Sequence, residues 1–179
     1  MPEIEIRAAN ADDIHPLMDL DHSYASEYVW QIEIQREKNQ IGVTFREVRL
    51  PRSVQVAYPR NPRELADEWT KRDGFLVATM ANELVGYVCL MNNMAPKTTW
   101  ITDLVVIRRL RHQGIGTALI LASQDWALQK QSRRVILEMQ PKNHPAISLA
   151  HKLGFELCGY NDHYYTNHDI ALFFSKWLR

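Results

Sequence analysis

The sequence predicts one mixed α/β domain, and three observations predict it. At 179 residues the chain suits one domain with a sizeable core. Its composition, 46% hydrophobic and 23% charged, belongs to a globular chain and not to a disordered tail. Period-two alternation trades places with helical spacing along the chain, without an internal repeat, low-complexity tract or linker.

Taken in order, "EIEIRAA" (3–9) alternates as a strand. Asn10 to Asp12 can cap a helix running to about Asp21, with Ile14, Leu17 and Met18 on one face. Residues 28–58 are rich in β-branched residues, alternate over long stretches and break at "EKNQIG" and "LPRS", which predicts a strand pair. "NPRELADEWTKRDG" reads as a helix, with Pro62 in its first turn and Gly74 at its stop. "FLVATM" and "ELVGYVCLM" form a hairpin across "ANE", and "NNMAPKT" is a loop. "WITDLVVI" (100–107) is a nearly continuous apolar strand that leads through "RRLRHQ" into a helix from about Gly114 to Lys130. There Ile115, Ala118, Leu119, Ala122 and Trp126 recur at helical spacing. "RRVILEMQ" is another buried strand, and "HPAISLAHKLGF" a short helix stopped by Gly154. "FELCGY" and "HYYTNHDIALFFSKWL" close the chain as strands.

Charge narrows the function. Twenty-one basic and 21 acidic residues cancel, so no bulk attraction to nucleic acid or anionic membrane is expected. Cys89 and Cys158 lack metal-ligand spacing and build no disulfide framework, so no metal site is expected. No apolar run approaches the ~20 residues that span a bilayer. "MPEIEIRAAN" has no apolar core of a signal peptide, and a cytoplasmic protein is the default expectation.

The chemistry begins at "RHQGIGTAL" (111–119), where two of the chain's seven glycines stand one residue apart at a helix start. The first N–H groups of a helix lack internal partners and carry the positive end of its dipole, which suits phosphate. Gly114 and Gly116 remove side chains that would keep a diphosphate at a distance, and Arg111 adds charge. A helix start with glycines for packing is the plain alternative. A nucleotide P-loop would need Gly-x4-Gly-Lys-Ser/Thr, which is absent. A dinucleotide fingerprint would need a third glycine where Leu119 stands and a much shorter turn after the strand.

"LVVIRRLRHQGIGTAL" resembles the acetyl-CoA signature of the GNAT superfamily of N-acetyltransferases, Arg/Gln-x-x-Gly-x-Gly/Ala, with Arg111, Gly114 and Gly116 in its defining positions. "LEMQPKNHPAISLAHKLGF" is similar to the family's second block, matched at Asn143, Ala146, Gly154 and Phe155. The ending resembles those of the streptothricin acetyltransferases and the ribosomal-protein alanine acetyltransferases. The likeness is strong over residues 74–179 and loose before. It implies a central, mostly antiparallel sheet of about seven strands, flanked by helices, with a splayed parallel pair at strands 4 and 5. It also implies a single acetyltransferase domain over residues 1–179, an acetyl-CoA-binding core over 74–160 and an acceptor side over 20–72.

The resemblance implies acetyl-CoA as donor. Its diphosphate would lie on the backbone N–H groups of Arg111, His112, Gln113, Gly114, Ile115, Gly116 and Thr117. Leu104, Val105 and Val106 would offer unpaired backbone groups to the pantetheine arm and thioester carbonyl, and Asn143 would hydrogen-bond the arm. Core packing explains the side chains of Leu104 to Val106 equally well.

Acetyl transfer needs a neutral amine. A lysine-like amine of pKa near 10.4 is neutral in only about one molecule in a few thousand at pH 7. A base within reach removes that handicap. Glu138 matches the catalytic glutamate of the alanine acetyltransferases, and Asp103 lies beside the expected splay. Each sits in an apolar strand, where an unpaired charge is costly, so each needs a partner or a job. The backbone N–H of Val106 is the candidate oxyanion donor. The family's proton-donating tyrosine is missing, because Ala150 stands in its place. Tyr164 and Tyr165 are the candidate replacements, with aromatic packing as their other reading.

An N-acetyltransferase acting on a small-molecule amine or a peptide N-terminus is the expected function. An acetyl-CoA-binding or sensing module with weak catalysis is the alternative, motivated by Ala150. Asp19, Asp21, Glu27 and Glu33 offer negative charge to a cationic acceptor, although a solvated acidic face explains them too. Oligomeric state is not readable, and a homodimer stays open.

Overall fold

The computed structural model describes residues 3–179. Strand β1 (Ile4–Ala8) enters helix α1 (Ala11–Met18) through a capping box: Asn10 accepts from the Asp12 N–H at 3.0 Å, and Asp13 accepts from the Asn10 N–H at 2.8 Å. Arg7 pairs with Asp13 at 2.7 Å and keeps that buried carboxylate charged. Asp19 caps the helix, so it ends before the expected Asp21.

The predicted strand pair forms as β2 (Tyr24–Glu37) and β3 (Gln40–Val56), closed at Lys38–Asn39. "LPRS" does not end β3 as expected. It is absorbed as a register shift, in which Ser26 faces Val54 but Tyr28 faces Arg49. The helix expected over 62–73 is broken into 3₁₀ turns at Pro62–Glu64 and Trp69–Lys71 around a single turn α2 (Leu65–Glu68). Its apolar pair, Leu65 and Trp69, is too little to hold three regular turns against the sheet.

Strands β4 (Gly74–Met80) and β5 (Glu83–Asn92) form the expected hairpin, followed by β6 (Thr98–Val106), α3 (Ile115–Gln129), β7 (Arg134–Met139), α4 (His144–Lys152), β8 (Glu156–Asn161) and β9 (Ala171–Trp177). The final apolar run begins its strand only at Ala171. Before it, the Tyr164 and Tyr165 N–H groups both donate to the Asp169 carbonyl, at 3.0 and 3.1 Å, and fold the chain into a compact loop.

Seven strands make one sheet in the order β1-β4-β5-β6-β7-β9-β8, and β2-β3 form a separate two-stranded sheet. The parallel pair is therefore β6/β7 rather than strands 4 and 5, because the β2–β3 hairpin enters the count without joining the large sheet. Alternate residues of the central strands feed two cores. Leu76, Ala78, Val88 and Leu90 meet Leu119, Ile120 and Ile147 on the α3 and α4 face. Phe75, Val77, Tyr87 and Cys89 meet Ile14 and Leu17 on the α1 face. Pairing of β6 with β7 runs from Thr98↔Arg134 to Ile101↔Leu137 and then stops, while both strands continue. This unzipped end holds the site.

Candidate active site

Two carboxylates stand where the strands part. Asp103 is buried on β6 and Glu138 on β7, the latter with no exposed side-chain area. Between them lies Arg60, carried by the stretch after β3. Its Nη1 donates to the Thr102 carbonyl at 2.9 Å and to Asp103 Oδ1 at 3.3 Å, and its Nη2 donates to Glu138 Oε1. The Tyr58 hydroxyl donates to Asp103 Oδ1, and Thr102 Oγ1 to Oδ2 at 2.9 Å. The Tyr164 hydroxyl donates to Glu138 Oε2 at 2.7 Å. The Tyr165 ring lies 5.2 Å from the Arg60 guanidinium carbon. All four predicted catalytic residues thus meet around one guanidinium.

Burial pushes the Glu138 carboxyl above its ordinary range, and Asp103 adds to this; Arg60 and the Tyr164 hydroxyl oppose it. The Tyr164 hydroxyl is also pushed up, by burial and by Glu138. Both carboxylates have both oxygens bonded: Asp103 accepts from three donors, Tyr58, Arg60 and Thr102, and Glu138 from two, Arg60 and Tyr164. Arg60 stays charged, because Asp103 and Glu138 more than offset the cost of burial.

The loop with the two tyrosines is braced from the hairpin. Tyr24 donates to Gln140 Oε1 at 2.6 Å, and Gln140 Nε2 donates to Asp169 at 2.6 Å. A cleft of about 50 Å³ opens among Asp103, Leu104, Glu138, Asn143, Arg60 and Tyr165.

The glycine stretch starts α3 as predicted. Gly114 is the N-cap, at φ +91°, and a Cβ there would meet open space, so its glycine answers to conformation and not to packing. At Gly116 a Cβ would lie 3.1 Å from Leu149 Cδ2, so this glycine lets α3 approach α4. The helical ladder begins with the Ala118 N–H donating to the Gly114 carbonyl at 2.9 Å, which leaves Ile115, Gly116 and Thr117 with first-turn N–H groups. His112 also has positive φ, 63°, and Gln113 is exposed. This end of the helix, beside strand backbone released at the splay, suits a diphosphate with an extended amide arm.

Arg111 points elsewhere. Its guanidinium donates to the carbonyls of Val106, Ser23 and Asp21 at 2.9, 2.7 and 3.0 Å, so its donors tie the turn into α3 to the segment before β2. Asn143 caps α4 by accepting from the Ala146 N–H at 3.2 Å, with its side-chain NH₂ still able to meet a ligand. Val105 is buried in the α1-side core, and Leu104 and Val106 are half-buried. Of the acidic residues expected to draw a cation, Asp21 pairs with Arg108 at 3.3 Å, and Asp19, Glu27 and Glu33 are exposed and outside the cleft.

Arg60 and Tyr58 are the residues that the sequence reading missed. They sit in "YPRN", which has no periodicity, and reach partners as far as 78 positions away. The two flanking prolines, Pro59 and Pro62, were the one local sign that this stretch is shaped for something. Among the described residues no helix is long and apolar enough to cross a membrane, and no group of three or more His, Cys, Asp or Glu is placed to hold a metal.

Comparison with known proteins gives a consistent picture. The family model described as "Acetyltransferase (GNAT) family" matches residues 43–155. An N-alpha-acetyltransferase of Sulfurisphaera tokodaii is 31% identical over 115 residues, 54% of this chain and 65% of that protein's own length. A streptothricin acetyltransferase of Streptomyces lavendulae is 22% identical over 160 residues, 87% of this chain and 82% of that one. The crystal structure of a nourseothricin acetyltransferase superposes with a TM-score of 0.82 at 23% identity, covering 98% of this chain and 99% of the other.

Proposed function

The chain belongs to the acetyltransferase (GNAT) family, and from that premise we propose that it moves the acetyl group of acetyl-CoA directly onto a primary amine. The observation that carries the reading is the meeting of Glu138, Tyr164 and Asp103 at the unzipped end of β6/β7. Bound acetyl-CoA supplies an activated acyl group and a thiol leaving group. The first-turn N–H groups of Ile115, Gly116 and Thr117 would hold the diphosphate, and the Asn143 amide and the backbone of Leu104 to Val106 that no longer pairs with β7, apart from the Val106 carbonyl held by Arg111, the arm.

Glu138 takes a proton from the acceptor's ammonium and frees its lone pair. Asp103 is held by Tyr58, Arg60 and Thr102 and lines the cleft beside Glu138. In this reading Tyr164 gives its proton to the departing sulfur and takes one back from Glu138 Oε2, to which it is bonded; the emptied Glu138 then accepts the second proton, from the acceptor nitrogen after its attack, and releases it to solvent. The order of events follows from charge: while Glu138 is ionised it holds the Tyr164 proton in place, and once Glu138 is protonated that hold is released. Tyr164 thereby fills the role left open at Ala150, which is fully buried in the α4-side core.

Small-molecule amines are favoured over peptide N-termini as acceptors. The match to the streptothricin enzyme extends over 87% of this chain and so includes the acceptor side, whereas the match to the N-alpha-acetyltransferase covers 54%. The test is release of free thiol from acetyl-CoA with a panel of cationic small amines, polyamines, aminoglycoside-like and streptothricin-like compounds, and N-terminal peptides. Amine-dependent release, strongest with a small cationic amine, is expected. Tight acetyl-CoA binding without release for any amine would instead leave a sensing module.

A further inference from the structure

Glu138 and Asp103 are both buried and both bonded to one side chain. Two carboxylates in such a site normally keep one proton between them, because neither charge is well solvated and each repels the other. A proton retained on Glu138 would spoil it as a base. Among the described residues, Arg60 is the one cation paired with either group.

The placement of Arg60 is fixed on several sides. A strand carbonyl takes Nη1, a carboxylate sits at each end of the guanidinium, and the Tyr165 ring covers a face. Such a planar fork matches two separate acceptors in a way that a lysine ammonium does not. The site is left with a single net negative charge, which a cationic acceptor would neutralise.

We infer that Arg60 is the positioning residue that keeps Asp103 and Glu138 ionised together, so that Glu138 carries no proton when the acceptor arrives. The inference rests on reading Glu138 as the base. Its full surroundings bear on the sign. Facing Glu138 are Arg60 from the stretch after β3, Tyr164 and Tyr165 from the loop before β9, and Asp103 from β6; facing Asp103 are Tyr58 and Arg60 from the stretch after β3, Thr102 beside it, Cys89 and Tyr87 from β5, and His22 from the segment before β2. Burial raises the Glu138 carboxyl most, and Asp103 also raises it. Arg60 lowers it by charge and hydrogen bond, and Tyr164 by hydrogen bond. Loss of the Arg60 charge therefore moves Glu138 further up. Activity that needs ionised Glu138 then fails at a higher pH.

The experiment is the pH profile of kcat/KM with a cationic acceptor. Arg60→Gln should move the acidic limb upward by about 1–3 pH units, the usual effect of an adjacent opposite charge. Arg60→Lys, which keeps charge but not the fork, should hold the limb close to wild type while lowering the rate. A folded Arg60→Gln enzyme with reduced rate and an unmoved limb would overturn the proposal, since only structural support would then be lost. A second measurement needs no Arg60 variant: carboxyl ¹³C NMR of the wild-type protein, assigned with Glu138→Gln and Asp103→Asn. Both carboxylates ionised at pH 7 supports the inference, and one proton shared between them overturns it. Glu138→Gln also separates the two readings. If it keeps the wild-type limb, Glu138 is not the base, whereas the NMR result still decides what Arg60 does to the pair.

Discussion

The two halves of the proposed site, one for the donor and one for the acceptor, are built in opposite ways. On the donor side, the turn into α3 presents backbone: first-turn N–H groups, a glycine at positive φ and a second glycine against α4. On the acceptor side, side chains from β6, β7, the stretch after β3 and the loop before β9 converge on Arg60. A backbone site is written in a short local string, because local conformation is all it needs. A side-chain site is assembled from distant segments, and each residue looks ordinary where it stands. The ligands differ accordingly: a diphosphate and an amide arm can be held by a repeated backbone pattern, while an acceptor amine needs charge placed to order.

The contrast can be broken in three ways, from the largest effect down. Glu138→Gln keeps the shape of the acceptor side and removes its base, and turnover of a cationic amine should fall by roughly 10²–10⁴ with acetyl-CoA affinity kept. Unchanged turnover, with loss in Asp103→Asn instead, would reverse the two carboxylates. Gly114→Val attacks the donor side through conformation alone, since the added side chain meets no neighbour. A valine there relaxes the free loop out of the left-handed region, and restoring it on binding costs about 1–3 kcal/mol, or roughly five- to 150-fold in acetyl-CoA affinity. Calorimetry on the folded variant checks it, and unchanged affinity would remove the diphosphate from this loop. Tyr164→Phe should be mildest, lowering kcat several-fold without weakening acetyl-CoA, because a thiolate leaves readily even without an acid. Such a split marks an interaction made chiefly in the transition state; equal kcat in the Phe variant would show that the tyrosine only packs.

What was legible in the sequence follows the same division. The central strands could be read because their alternation feeds a separate core on each face, as Phe75, Val77 and Tyr87 do on one and Leu76, Ala78 and Val88 on the other. The start of α3 could be read because Gly114 needs a conformation that few residues adopt. Glu138 and Asp103 stand out as charges inside apolar strands, and Tyr164 and Tyr165 by their place in the connection between the last strands, but what joins them does not show in the sequence. Arg60 lies in an aperiodic stretch, and nothing near it announces two carboxylates on the central strands. Arg111 was misjudged for a related reason. Its place in the motif is local, but its three carbonyl partners depend on how residues 21–23 pack against it. "LPRS" reads as a break because a strand interior disfavours proline, and β3 tolerates it by shifting register there.

The β2–β3 hairpin hangs on the rest of the molecule by a few named attachments. The Trp30 N–H donates to the Pro141 carbonyl at 3.0 Å, Tyr28 stacks on His144 with ring centres 4.6 Å apart, and Phe45 meets Tyr160 edge-on at 5.6 Å. None of its ladder bonds is shared with the seven-stranded sheet. Its tip beyond Ile34 and Val43 can therefore be lengthened or cut back two residues per strand at a time, which preserves which face each side chain takes. The hairpin is a detachable panel on a fixed frame, so its tip can be edited while the strands that carry Asp103 and Glu138 keep their sequence and spacing.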